Sequence, residues 1–330
     1  MRLVKLTKDC QAWRNFLKEN NHLIIHTPEW KEFIETTFPR TKAKYYALTT
    51  KEEIKCIFPL FNTKFSIIPN ISSTFLEYGG PIGKVTKNQF EKIKNKLPKN
   101  IEIRHGLSNK FLSKNFIEVN AFKRFVLQLG TEEDMWKHIH KFKRKAVRLA
   151  DKSGIKIKDV PKKDMASLYN LYLKSMRSFG TPPYTKKYFT NFYTFFVDKN
   201  IGKIVGAYYK KKLVSVLMGF TISKQIHVNI NFSDPRYLKF RTNDAVYWEF
   251  IKWGCNNNYY EFDFGRTWEE SGQFAFKKKW KAELLDLNHF YFSKPNDFRF
   301  VYDMFSKVWK NVPLSVTKLV GPYIRENFGI

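Results

Sequence analysis

The order of hydrophobic periodicities between residues 155 and 292 constrains the fold more than any other feature of this chain. Residues 155–160 read as a strand, 162–178 and 186–198 carry helical spacing, and 202–210, 213–222 and 225–232 read as three further strands. A helix over 243–257 and strands over 259–264 and 284–292 complete the run. Strands joined by short turns pair antiparallel, whereas two strands joined through a helix lie parallel. A β-α-α-β-β-β-α-β-β order therefore predicts a mixed sheet covered by helices, which is an α/β fold class.

The earlier part is mixed as well. It carries a helix over 27–37 with Pro28 in its first turn, a hairpin of 45–50 with 54–61, and strands over 101–104 and 122–129. Thr131 caps a helix expected over 132–152 and ended by Gly154, which serves as the bridge between halves. A chain of 330 residues exceeds the usual single domain of roughly 100 to 200 residues. We therefore expect two domains, 1–153 and 154–330, the second ending in a helical tail.

Composition narrows the surroundings. Hydrophobic residues at 43% leave no reason for disorder. The N-terminal residues break their apolar positions with charges, and no apolar run is long enough to span a bilayer. Cys10, Cys56 and Cys255 lie far apart without a CxxC pair, so neither a disulfide framework nor a zinc site is expected. The expectation is a cytoplasmic protein, with peripheral contact at the inner face of the membrane allowed. A net charge of +29, from 59 Lys plus Arg against 30 Asp plus Glu, suits anionic partners such as tRNA, coenzyme A phosphates or acidic lipid. A generally Lys-rich background accounts for the same number, because many lysines are scattered singly.

Motifs along nearly the whole chain carry a resemblance. They include Thr27-Pro28-Glu29-Trp30, Phe58-Pro59-Leu60, Tyr78-Gly79-Gly80-Pro81, the run Trp136-Lys137-His138-Ile139-His140-Lys141-Phe142-Lys143-Arg144-Lys145-Ala146-Val147-Arg148, and Glu261-Phe262-Asp263-Phe264-Gly265-Arg266. Phe276-Lys277-Lys278-Lys279-Trp280, Pro313-Leu314 and Gly321-Pro322 follow. In this order they resemble the Fem-related proteins of the GNAT superfamily found beside exopolysaccharide and protein-sorting systems, and more distantly the peptidoglycan-bridge aminoacyltransferases. The resemblance implies two tandem GNAT-like domains, the first degenerate. It also implies transfer of an acyl or aminoacyl group to an amine or hydroxyl of a sugar-, peptide- or lipid-linked envelope precursor. The donor that the resemblance implies is a thioester such as acyl-CoA, or aminoacyl-tRNA. Two departures stand out: the RxxGxG signature of acetyl-CoA users is absent, and no heptad-bearing insertion interrupts the second half.

Candidate residues follow from chemistry. A GNAT domain splays two parallel strands around the donor and seats its phosphates at the next helix start, which here is Phe240-Arg241-Thr242-Asn243-Asp244. Free amides there suit an anion, so Arg241, Thr242 and Asn243 are the donor-binding candidates. Alternation on the strand before Gly265 puts Glu261 and Asp263 on one face. Asp263 is either a proton acceptor or the partner of Arg266 in an ion pair that shapes the turn. Asn229 and Asn231 alternate with Val228, Ile230 and Phe232; Asn231, as a catalytic candidate, bonds either substrate or neighbouring backbone. Tyr78 and Gly79 mark a turn where a ligand can approach closely. Lys137, Lys141, Arg144 and Arg148 share a helix face that is either solvated or phosphate-binding, giving Lys141 and Arg144 as substrate candidates. Arg266 and Lys277 join them through the motifs that carry the resemblance. No HExxH, GxSxG or P-loop pattern occurs, so we expect direct transfer in an ordered complex, without metal. The rival reading, a non-catalytic basic nucleic-acid-binding protein, has no recognised motif behind it, and no stable nucleic-acid complex is expected.

Overall fold

The computed structural model describes residues 2–328 apart from 51–52, 64–69, 74, 85, 87, 89–96, 99–100, 106–115, 270 and 292–298. Residue 292, the expected end of the last strand, lies outside the described residues. The chain forms two compact units: Met1–Ala121 with Asp286–Asp297 and Tyr323–Ile330, and Phe122–Leu285 with Phe298–Pro322.

In the first unit, strands β1 (Arg2–Leu6), β2 (Thr41–Thr50), β3 (Glu53–Thr63) and β4 (Asn70–Ile71) pair antiparallel in sequence order. Short β5 (Ile82–Gly83) joins β3, and β6 (Ile101–His105) lies parallel to β4. Helices α1 (Gln11–Glu19) and α2 (Pro28–Thr37) present apolar faces that bury Trp13, Trp30, Phe33 and Ile34. The early motifs are packing devices here. Thr27 caps α2 by accepting from the Trp30 amide at 3.2 Å, and Trp13 Nε1 donates to the His26 carbonyl at 2.8 Å. The Tyr45 hydroxyl donates to the Ile25 carbonyl at 2.6 Å. Beyond the β4–β6 pair the backbones stay laced. Ser72 N donates to the Glu102 carbonyl, and Arg104 N donates to Ser72 Oγ, each at 2.9 Å. Among the described residues no gap opens between these two parallel segments.

The second unit has the predicted order. Strands β8 (Ile155–Asp159), β9 (Gly202–Tyr209), β10 (Lys212–Ile222) and β11 (Gln225–Ser233) pair antiparallel, and β11 lies parallel to β12 (Glu261–Thr267). Helix α7 (Thr242–Asn256) makes the crossover, and its Val246, Tyr247, Phe250 and Ile251 pack with Ile226, Val228, Phe262 and Phe264 in one buried cluster. Helices α5 (Met165–Phe179) and α6 (Lys186–Phe192) bring Tyr172 and Phe189 against Phe232, with ring centroids 5.3 and 6.2 Å away.

Three expectations need correction. The expected last strand of the second half, β13 (Glu283–Tyr291), pairs antiparallel with β6 of the first unit, Asn288 opposite His105. The second unit is completed instead by the end of β7 (Ile117–Gln128), which pairs antiparallel with β12, Val126 opposite Asp263. Each unit thus takes its last strand from the far half of the sequence, which local periodicity cannot reveal. Secondly, the single helix over 132–152 is two, α3 (Glu132–His138) and α4 (Lys141–Lys152). Ile139 is extended, and the His140 ring caps α4 by accepting from the Phe142 amide. Thirdly, the units divide at Ala121, well before residue 153, because α4 buries Lys143, Ala146 and Ala150 in the second unit.

Candidate active site: a splayed strand pair and an anion cradle

Strands β11 and β12 are paired over only three positions, Gln225 with Glu261, Ile226 with Phe262 and His227 with Asp263. Directly after these, both strands bulge. On β11 the register against β10 slips at Asn229, since Met218 faces Ile230 while Gly219 faces Val228. On β12 it slips between Asp263 and Arg266, where Gly265 adopts φ 72°. A bulge bends its strand and interrupts pairing, so two facing bulges part the strands where the donor of a GNAT domain is expected.

The β11 bulge also overturns a face assignment. Val228 packs in the cluster with α7, yet Phe232, of the same parity, packs on Tyr172 of α5 and Phe189 of α6. Simple alternation therefore no longer places Asn229 and Asn231 on one face. Asn229 Oδ1 accepts from the Tyr188 hydroxyl at 2.7 Å. Asn231 Nδ2 donates to the Val216 carbonyl at 2.9 Å, the backbone alternative of its two readings.

The start of α7 forms a cradle. A tight turn over Pro235–Phe240 ends at Arg241, which takes the left-handed conformation at φ 58°. Among the described residues the amides of Thr242, Asn243 and Asp244 have no acceptor, as expected for a helix first turn without a side-chain cap. Thr242 is fully buried and its hydroxyl has no hydrogen-bond partner. Asn243 Oδ1 accepts from the hydroxyls of Ser233 and Ser215, which ties the helix start to the ends of β11 and β10.

Beneath the cradle lies a residue that sequence reasoning passed over. Lys143, 3% exposed, donates to Asp244 Oδ1 at 2.6 Å, and its ammonium sits 3.3 Å from the Phe276 ring centroid. Burial lowers its pKa to about 8 against the pull of Asp244, with Lys279 and Arg241 adding repulsion. The helix start thus combines unpaired amides, an orphan hydroxyl and a group of neighbouring cations. Lys143 was hidden in a run of surface lysines. Its spacing with Ala146 and Ala150, three and seven residues on, is the signal that marks the buried face of α4.

Asp263 is 2% exposed, and its partner is not Arg266. Arg124 Nη1 on β7 donates to Oδ2 at 2.7 Å, and the Gly265 amide donates to Oδ1 at 2.7 Å. Arg266 instead lies over the Phe122 ring at 4.7 Å. Lys277 is buried on α8 (Gly272–Lys278) and donates to the carbonyls of Gly265 and Arg266 at 2.9 and 2.8 Å, clamping the bulge from the other side. Two residues before Asp263, the partly exposed Glu261 has its carboxyl pushed up by burial and then by the Asp263 charge.

The other candidates are accounted for by local packing. Tyr78 is buried in the first unit, and a Cβ on Gly79 would come within 3.1 Å of Ile25 and Ser73, while the Gly79 amide bonds the Arg104 carbonyl. Arg144 Nη1 donates to the carbonyls of Trp136, Lys137 and Ile139 at 2.7 to 3.2 Å and so caps the end of α3. Lys141 is exposed, its ammonium 5.9 Å from the Phe142 ring. With the helix broken at Ile139, Lys137 leaves the stripe and pairs with Glu133.

The acetyltransferase (GNAT) domain family matches residues 137–278, which take in the cradle, both bulges and α8. The chain carries a GNAT acyltransferase domain. About nine-tenths of its length has the fold of several solved proteins. The crystal structure of FemX superposes with a TM-score of 0.68 at 13% identity, covering 92% of this chain and 100% of that one. L-PGS from Bacillus licheniformis gives 0.58 at 10% identity, covering 92% and 98%. A tandem GNAT protein from the clavulanic acid biosynthesis pathway gives 0.54 at 9% identity, covering 90% and 99%. No curated protein matches by sequence. At these identities the structural likeness speaks for a Fem-like fold of two GNAT-like domains.

Proposed function

We propose that this GNAT domain transfers an acyl or aminoacyl group from an activated, phosphate-bearing donor, acyl-CoA or aminoacyl-tRNA, directly to an amine or hydroxyl. The acceptor we propose is a sugar-, peptide- or lipid-linked envelope precursor. The observation that carries this reading is the cradle at the start of α7, placed at the mouth of a strand pair parted by two bulges. Phosphates of the donor lie against the free amides of the helix start, with exposed Arg241 and the buried Lys143 beneath supplying charge. The acyl carbonyl then occupies the gap between β11 and β12, where the parted backbone offers unpaired groups to orient it. Attack by the acceptor needs orientation and one proton acceptor. Arg124 and Gly265 already engage both oxygens of Asp263, which suits that residue to holding the bulge. Glu261, with its raised pKa beside it, has the protonation behaviour of an acceptor.

The test is single-turnover transfer from acetyl-CoA and from charged tRNA to a panel of amines and hydroxyls. Transfer from one donor supports the reading, whereas neither binding nor transfer with either sinks it. Arg241→Glu is expected to weaken binding of the active donor by roughly 10- to 100-fold, the effect of a lost hydrogen bond to a charged group. Its melting temperature should stay unchanged, since Arg241 is exposed. A proton acceptor works deprotonated, so turnover should rise with pH through a pKa above the usual glutamate value of 4.5. Glu261→Gln should flatten that limb; a pH profile identical in the two proteins would take Glu261 out of the mechanism.

A further inference from the structure

The C-terminal part of the second unit carries a surface that the transfer chemistry does not use. Helices α9 (Arg299–Trp309) and α10 (Leu314–Phe328) seat their inner side through buried Trp309 and Thr317. Small residues at the contacts allow the approach: a Cβ on Gly321 would come 2.3 Å from Pro183, and one on Gly180 would meet Ser306 at the same distance. Their outer side stays apolar and uncovered. Val308 and Leu319 are 64% and 75% exposed, and Met304, Val316, Val320 and Phe179 are exposed as well. Val316, Leu319 and Val320 follow helical spacing, so they form a stripe along α10. Scattered apolar residues on a surface are ordinary, but a stripe continued on a neighbouring helix marks an interaction face.

The charges around that face identify its partner. Lys307 and Lys318 are exposed on the same two helices, and exposed Lys310 directly follows α9. Beside Lys318, Ala166, Tyr169, Asn170, Thr185 and Lys186 line an open cavity of about 270 Å³. Two ammonium groups, an amide and a phenol around a hollow of this size suit a phosphate headgroup, and the adjoining apolar stripe suits acyl chains. We propose that this face docks on an anionic phospholipid surface, with α9 and α10 lying in the interface and a lipid phosphate held between Lys186 and Lys318. No described helix is long and apolar enough to cross a membrane. The proposal stands apart from the transfer reading and would survive its failure.

Vesicle co-sedimentation tests it, with phosphatidylglycerol mixed into phosphatidylcholine against phosphatidylcholine alone. The protein should pellet only with the acidic vesicles, less so as salt rises. Leu319→Asp with Val308→Asp should abolish pelleting while leaving the melting temperature unchanged. Lys186→Gln with Lys318→Gln should weaken partitioning roughly 30-fold, because each lysine at an acidic surface contributes about fivefold. Equal pelleting of all variants overturns the proposal. So does a concentration-dependent dimer, seen by light scattering, that Leu319→Asp dissolves while vesicles bind nothing, since a second copy is then the occupant.

Discussion

Asp263→Asn is expected to lower stability by about 3 to 5 kcal/mol, because it leaves the Arg124 guanidinium buried beside a neutral amide. Asparagine retains a carbonyl oxygen for the Gly265 amide, so the bulge keeps one of its two ties. The companion variant Arg124→Leu with Asp263→Leu removes both charges and should recover most of the loss, since a buried pair replaced by apolar groups is often neutral. Turnover separates this structural role from a chemical one. If Asp263 takes the proton, Asp263→Asn loses about 10²- to 10⁴-fold in rate at matched folded fraction. Thermal unfolding and single-turnover rate on one preparation decide between the two outcomes. Near-native turnover in a destabilised protein assigns Asp263 to the bulge and leaves the proton to Glu261 or to substrate.

The contrast between Arg124 and Arg266 shows where sequence reading stopped. Arg266 lies three residues from Asp263, and a local turn made it the natural partner. Arg124 is 139 residues away and reaches Asp263 only because β7 pairs with β12. The element order of the second unit was legible because each of its strands and helices carries its own periodicity. Strand exchange at β7 and β13 was not, since pairing across such distances leaves no local pattern. The bulges are a middle case. Gly265 signalled a turn in β12, but nothing in the Val-Asn-Ile-Asn alternation of β11 signals the slip at Asn229. That slip decides which way Asn229 and Phe232 face. Likewise the cradle was legible from Arg241 to Asp244, whereas the buried cation beneath it looked like one more lysine among 59 basic residues.

Lys143→Met should therefore have the other large effect, about 3 to 5 kcal/mol of destabilisation, as it keeps the side-chain length but strands Asp244 without its cation. The pH dependence gives a second, independent readout. Lys143 has a folded-state pKa of about 8 against an ordinary 10.5, so the folded protein gives up this proton first. Below pH 8 the group is charged in both states and its contribution is flat. Between about 8 and 10.5 the unfolded chain binds the extra proton, and the contribution to stability rises with pH. Lys143→Met should lack that rise. Donor binding carries the opposite sign. A phosphate against the cradle favours the ammonium form and raises its pKa, so binding takes up a proton and affinity falls as pH climbs through 8. Calorimetric titration in buffers of different ionisation heat measures that uptake directly. Proton uptake near pH 8 in the native protein, lost in Lys143→Met, makes Lys143 part of the donor site; uptake unchanged by the substitution confines it to holding Asp244 and the start of α7.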